Sequence, residues 1–161
     1  MSKRIRLTHQ TAAGAAHMVD VSAKRATRRK AVAEAFVEVG SEVAHLLRRH
    51  GGLAKGNVLD TARIAGIQAS KATPQLIPMC HPLALDAVDV DARLEGNLVH
   101  VVAAVTCRGY TGVEMEAMTA AAVAALTVYD MVKSAGKGVT IGPIRLLSKE
   151  GGKSGRWERD K

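Results

Sequence analysis

The chain has 161 residues, 47% of them hydrophobic, a net charge of +8 and only four aromatic side chains: Phe36, Tyr110, Tyr129 and Trp157. That size favours one domain, able to bury about 70% of its unfolded surface without disulfides or structural metal, and Cys80 and Cys107 form neither a disulfide framework nor a C-x-x-C pair. No apolar run follows the basic start, and the longest nearly apolar run, residues 117–129, is too short to span a bilayer, so a reduced, cytoplasmic protein with no signal peptide and no membrane partner is expected.

Residues 8–26 lack periodicity and read as an arm. Residues 30–39 alternate, with Ala31, Ala33, Ala35, Val37 and Val39 on one face, and predict a strand. Ser41 can cap a helix to about residue 50, ended by Gly51–Gly52, and Asn57 can cap a second to about residue 72, stopped by Pro74. Residues 84–94 alternate again, Glu95, Gly96 and Asn97 signal a hairpin, and residues 98–107 return with Val99, Val101, Ala103 and Val105 inside. Thr111 followed by Glu114 fits a capping box for a long helix to about residue 134. Residues 139–147 form the last predicted strand, and a Gly/Lys tail follows. This β-α-β-β-α-β order, with the first helical crossover broken in two, is that of a ferredoxin-like α+β sandwich with helices on one face of an antiparallel sheet. A single domain spanning 1–161 is expected, with flexible segments at about 1–27 and 149–161.

The basic charge concentrates away from the middle. Residues 1–30 carry eight Lys or Arg against one Asp, whereas 31–145 hold ten against eleven, so the basic excess lies at the ends and suits an anionic partner. The stretch LIPMCHPL at 76–83 brackets Cys80 and His81 with Pro78 and Pro82, which remove backbone donors and stiffen the turn. Neighbouring side chains in extended backbone diverge, and no further Cys or His has metal-ligand spacing. A ligand-contacting loop is therefore the better reading, and no metal site is expected. Glu114 and Glu116 open the long helix, where the helix dipole favours acids for purely structural reasons. Asp130 and Lys133 close it on a shared face. Glu116 and Asp130 are fourteen residues apart, about 21 Å along a helix. If both ends serve one small molecule, a second copy must bring its helix alongside in antiparallel fashion. The tail KEGGKSG is not a Walker A loop, since Leu147 stands where the first glycine belongs, but its glycines with Lys149 and Lys153 can wrap a phosphate.

Six blocks in order resemble one family: MVDVSAK at 18–24, TARIAGIQASK at 61–71, LIPMCHPL, TGVEMEAMTA at 111–120, LTVYDMVK at 126–133 and GGKSG at 151–155. Together they are similar to the cyclic pyranopterin monophosphate synthases (MoaC-type) of molybdenum cofactor biosynthesis. The resemblance implies a lyase that converts a cyclised dihydro-GTP into cyclic pyranopterin monophosphate and releases diphosphate. It also implies a ferredoxin-like hexamer, a trimer of dimers, with active sites at the dimer interface. It assigns the catalytic roles to Asp130, Lys55 and Lys133. It assigns substrate contact to Met79, Cys80, His81, Glu114, Met115 and Glu116, and triphosphate contact to Lys24, Arg29, Lys149 and Lys153. No cofactor is assigned beyond a divalent cation such as Mg, which can accompany the triphosphate. Glu150 departs from the family's small residue and adds negative charge beside Lys149.

Two other readings compete. An RNA-recognition motif shares the strand–helix order but needs base-stacking aromatics on its central strands, and residues 98–107 have none, so no nucleic-acid partner is expected. A sensor domain of the same fold without catalysis would bind the small molecule but release no diphosphate.

Overall fold

The computed structural model describes Thr11 and residues 13–50, 56–153 and 155–160. Its elements in chain order are β1 (Thr27–Glu38), α1 (Gly40–His50), α2 (Val58–Lys71), the one-turn α3 (Thr73–Leu76), β2 (Leu85–Glu95), β3 (Leu98–Gly109), α4 (Glu114–Val132), β4 (Thr140–Glu150) and the short β5 (Trp157–Glu158). The sheet order is β2-β3-β1-β4-β5, antiparallel throughout. This is the expected α+β ferredoxin-like arrangement, extended by one edge strand.

Alternation in β1 and β3 sets which face is covered. Ala31, Ala33, Ala35 and Val37 sit opposite Val105, Ala103, Val101 and Val99, and all eight are essentially inaccessible. These small side chains let α4 lie close to the sheet. Its own buried row is Ala117, Ala120, Ala121, Ala124, Ala125 and Val128. α4 has the length and composition of a membrane span, but nine of its residues are buried in this core. α2 lies beside it at close approach, for a Cβ on Gly66 would stand 3.0 Å from the Ala120 carbonyl oxygen and 3.3 Å from the Ala124 Cβ.

The other sheet face carries a polar cluster. Buried Glu34 accepts hydrogen bonds from Arg145 Nε at 2.6 Å and pairs with His100 Nε2 at 2.8 Å, while Phe36 stacks on His100 with centroids 4.5 Å apart. Burial alone pushes the Glu34 carboxyl up, and the Arg145 and His100 contacts outweigh it and hold it below its ordinary range.

Several boundaries differ from expectation. Asn57 does cap α2, its side chain accepting from the backbone N–H groups of Leu59 and Asp60 at 3.1 Å. Pro74 does not merely stop a helix. It occupies the first turn of α3, where its missing N–H leaves no bond unmade. The proposed capping box is not formed: Val113 takes the N-cap position and no side chain caps α4. Glu114 has another partner.

Candidate active site

One end of the sheet gathers the start of β1, the ends of β3 and β4, the entry to β2 and the N-terminus of α4. Two hollows meet there. The first, about 350 Å³, is lined by Val19, Val21, Met79, Cys80, His81 and Leu83 and by Met115 and Glu116 of α4. The second, about 390 Å³, is lined by Arg29, Lys30, Tyr110, Lys149, Glu150 and Gly151. Both also touch Lys24, Thr111, Gly112 and Glu114, which form the divide between them.

The first hollow sets a buried acid beside a thiol and an imidazole. Glu116 is 3% exposed, and burial, supplemented by the charge of Glu114, pushes its carboxyl above the ordinary value against an opposing backbone hydrogen bond. Burial and the nearby Glu116 likewise push the Cys80 thiol up, which holds it protonated and makes it a poor nucleophile. The Cys80 N–H donates to the Ile77 carbonyl at 3.0 Å, closing the turn that aims Met79, Cys80 and His81 inward. Between the lining residues Val19 and Val21, Asp20 accepts a hydrogen bond from the Ser22 N–H at 2.8 Å, and bonds from the Ser22 backbone and side chain, with smaller help from His17 and His81, lower its carboxyl.

The second hollow is cationic and partly self-neutralised. Lys149 Nζ donates to Glu114 Oε1 at 2.8 Å, with the two side chains about one-third exposed. Gly112 makes room for this pair, since a Cβ there would fall 1.8 Å from the Glu114 carboxylate. Arg29 reaches the carbonyls of Gly109 (3.4 Å) and Tyr110 (3.3 Å) at the end of β3. Glu150 also lines this hollow, and its carboxylate pairs with Arg28 at 3.8 Å.

Nine of the site residues expected from sequence thus gather at this end: Lys24, Arg29, Met79, Cys80, His81, Glu114, Met115, Glu116 and Lys149. Lys153 is exposed on the following turn and lines neither hollow. Lys55 lies outside the described residues. Asp130 and Lys133 sit at the far end of α4, joined by a 2.6 Å contact and more than half exposed. Asp130 raises the Lys133 ammonium above its ordinary value, the reverse of the lowered value that a desolvated general base among cations would need. Val19, Val21, Leu83, Thr111 and Gly112, and Lys30, Tyr110, Glu150 and Gly151 in the second hollow, were not anticipated as lining. The first two lie inside the MVDVSAK block, whose bounds were the only available signal. Among the described residues, no three of His, Cys, Asp and Glu converge as metal ligands.

A ferredoxin-like sheet with two adjoining hollows at one end, the second rich in Lys and Arg, defines a class: α+β domains with a small-molecule site at a sheet end. On the outer face Phe36 stacks on His100, which pairs with Glu34, and Arg145 lies over the Phe36 ring. The sequence model of the MoaC family matches residues 18–152. The chain belongs to this family and is an enzyme of molybdenum cofactor biosynthesis that acts on a small-molecule substrate.

Proposed function

We propose that the chain is a cyclic pyranopterin monophosphate synthase, a lyase acting on cyclised dihydro-GTP at sites shared between two copies. The carrying observation is a single stripe on α4. Met115, Thr119, Ala122, Leu126, Tyr129 and Lys133 recur at intervals of four and three, so they share one face. Met115 is 39% exposed, Leu126 56% and Tyr129 38%. The stripe runs from the mouth of the first hollow, at Met115, to the Asp130–Lys133 pair. Two α4 helices packed antiparallel across it would bury the apolar middle and deliver each Asp130–Lys133 pair to the other copy's hollow.

The residue types suit the reaction. The ring system fits the hollow lined by Met79, Cys80, His81 and the buried Glu116, which can hydrogen-bond its polar edge. The triphosphate fits the hollow with Lys24, Arg29 and Lys149, and it would displace Glu114 from Lys149. A sugar hydroxyl oxygen attacks the α-phosphorus, the bond from phosphorus to the β-bridging oxygen breaks, and diphosphate leaves with its charge on these cations. Desolvation of Lys133 by the second copy would lower its ammonium toward the range of a proton shuttle, with Asp130 orienting it. A divalent cation, where one takes part, would ride on the triphosphate oxygens. Hexameric assembly and a cytoplasmic location belong to the same reading.

Diphosphate release from the cyclised nucleotide tests it. The wild-type chain is expected to turn over, and Lys133→Ala or Asp130→Asn to lose at least about a hundredfold in kcat, the usual weight of a general acid–base group. Binding of the nucleotide without release of diphosphate would favour the sensor reading.

A further inference from the structure

The family match ends at Gly152, yet the chain beyond it is ordered against β4. After the glycine turn, β5 pairs back so that Trp157 sits opposite Lys149 and Glu158 opposite Ser148. Arg159 fastens this pairing twice: its N–H donates to the Leu147 carbonyl at 2.8 Å and its Nε to the Leu146 carbonyl at 2.7 Å. Its guanidinium also lies 5.9 Å from the Trp157 ring centroid.

The turn so fixed presses on the cationic hollow. Gly151 and Gly152 have φ of 100° and 72°; backbone blocks a side chain on Gly151, and the Arg29 guanidinium occupies the space beside Gly152. A Cβ on Gly151 would fall 2.1 Å from the Arg28 carbonyl oxygen, and one on Gly152 would fall 1.8 Å from Arg29 Nη1. Arg29 is thereby held between the β3 carbonyls of Gly109 and Tyr110 and the bare backbone of this turn. A long cationic side chain otherwise loses rotamer entropy on gripping a ligand, so holding it beforehand favours binding.

We infer that residues 156–160 form a clasp that positions Arg29 and Lys149 for a polyphosphate, through the glycine turn it closes. This rests on the reading of the second hollow as the triphosphate site. Arg159 and Gly152 are positioning residues, acting on the ligand only through Arg29 and Lys149. Arg159→Pro in the full chain removes both Arg159 bonds at an edge strand remote from the core. Gly152→Ala drives a methyl group into Arg29 and, at φ 72°, strains the turn itself.

The experiment is calorimetric titration with inorganic tripolyphosphate, alongside steady-state kinetics on the cyclised nucleotide and thermal melts. Both variants are expected to bind tripolyphosphate about tenfold more weakly, equivalent to about 1.4 kcal/mol. Each should raise KM with kcat within about twofold and melt within a few degrees of wild type. Affinity and KM unchanged in either variant would overturn the clasp while leaving the phosphate site standing. A wild-type chain that takes up no tripolyphosphate would overturn the phosphate reading, and the clasp with it.

Discussion

Glu116 stands in the first turn of an apolar helix, almost sealed from water, in a position where an ionised carboxylate is poorly solvated. Its raised folded-state value has a definite thermodynamic sign. The folded chain holds this proton more tightly than the unfolded chain, so stability falls as pH rises from the unfolded value near 4.5 through the raised folded one. Glu116→Gln removes that slope. Its urea midpoint should match wild type near pH 4 and move ahead of it as pH climbs toward 8. A wild type that gains on the variant with rising pH would show instead that Glu116 is held ionised. The residue type was legible in sequence, and so was its place in a first helical turn. Its burial was not, because dipole and capping arguments explain an exposed acid there equally well. Glu114 shows the same limit: its spacing from Thr111 fits a capping box, but Lys149, distant in sequence, offers a charged partner that a local pattern cannot reveal.

Elements were easier to read than their ends. Strict alternation identified β1, β2 and β3, because a half-covered strand needs it, and Gly96 at φ 60° makes the expected hairpin turn. β4 runs three residues beyond its expected end at Leu147, since Ser148, Lys149 and Glu150 pair with Val32, Ala31 and Lys30 despite their polarity. Propensity speaks against those residues, and the neighbouring strand overrides it. Packing between helices was invisible in the same way. Gly66 reads as a weak point in α2, whereas its bare Cα lets α2 meet the Ala120–Ala124 face of α4. Gly66→Ala gains about 1 kcal/mol of helix propensity, but a methyl 3.0 Å from a backbone oxygen forces the helices apart at a cost of about 1–3 kcal/mol. A net loss of about 1 kcal/mol, or about 2–4 °C in Tm, is expected in a melt. A Tm above wild type would mean that α2 and α4 separate without strain.

At the scale of the whole molecule, the two ends of α4 present different chemistry that a single copy keeps about 21 Å apart. Helix length made that separation readable from sequence, whereas the stripe that could join two copies became specific only once burial showed which face of α4 is open. An isologous pair has two identical sites, each drawing His81 from one copy and Asp130 from the other. This makes a mixing experiment decisive. His81→Ala and Asp130→Asn chains should each be nearly inactive alone. Mixed in equal amounts and allowed to exchange, half of the dimers become hybrids, and each hybrid keeps one site free of either substitution. Diphosphate release should then recover to about a quarter of the wild-type rate. Recovery also depends on exchange, which sizing of differently tagged copies can follow directly. Hybrids that form but stay inactive would place all the working residues of each site on a single copy, and the exposed α4 stripe would then need another explanation.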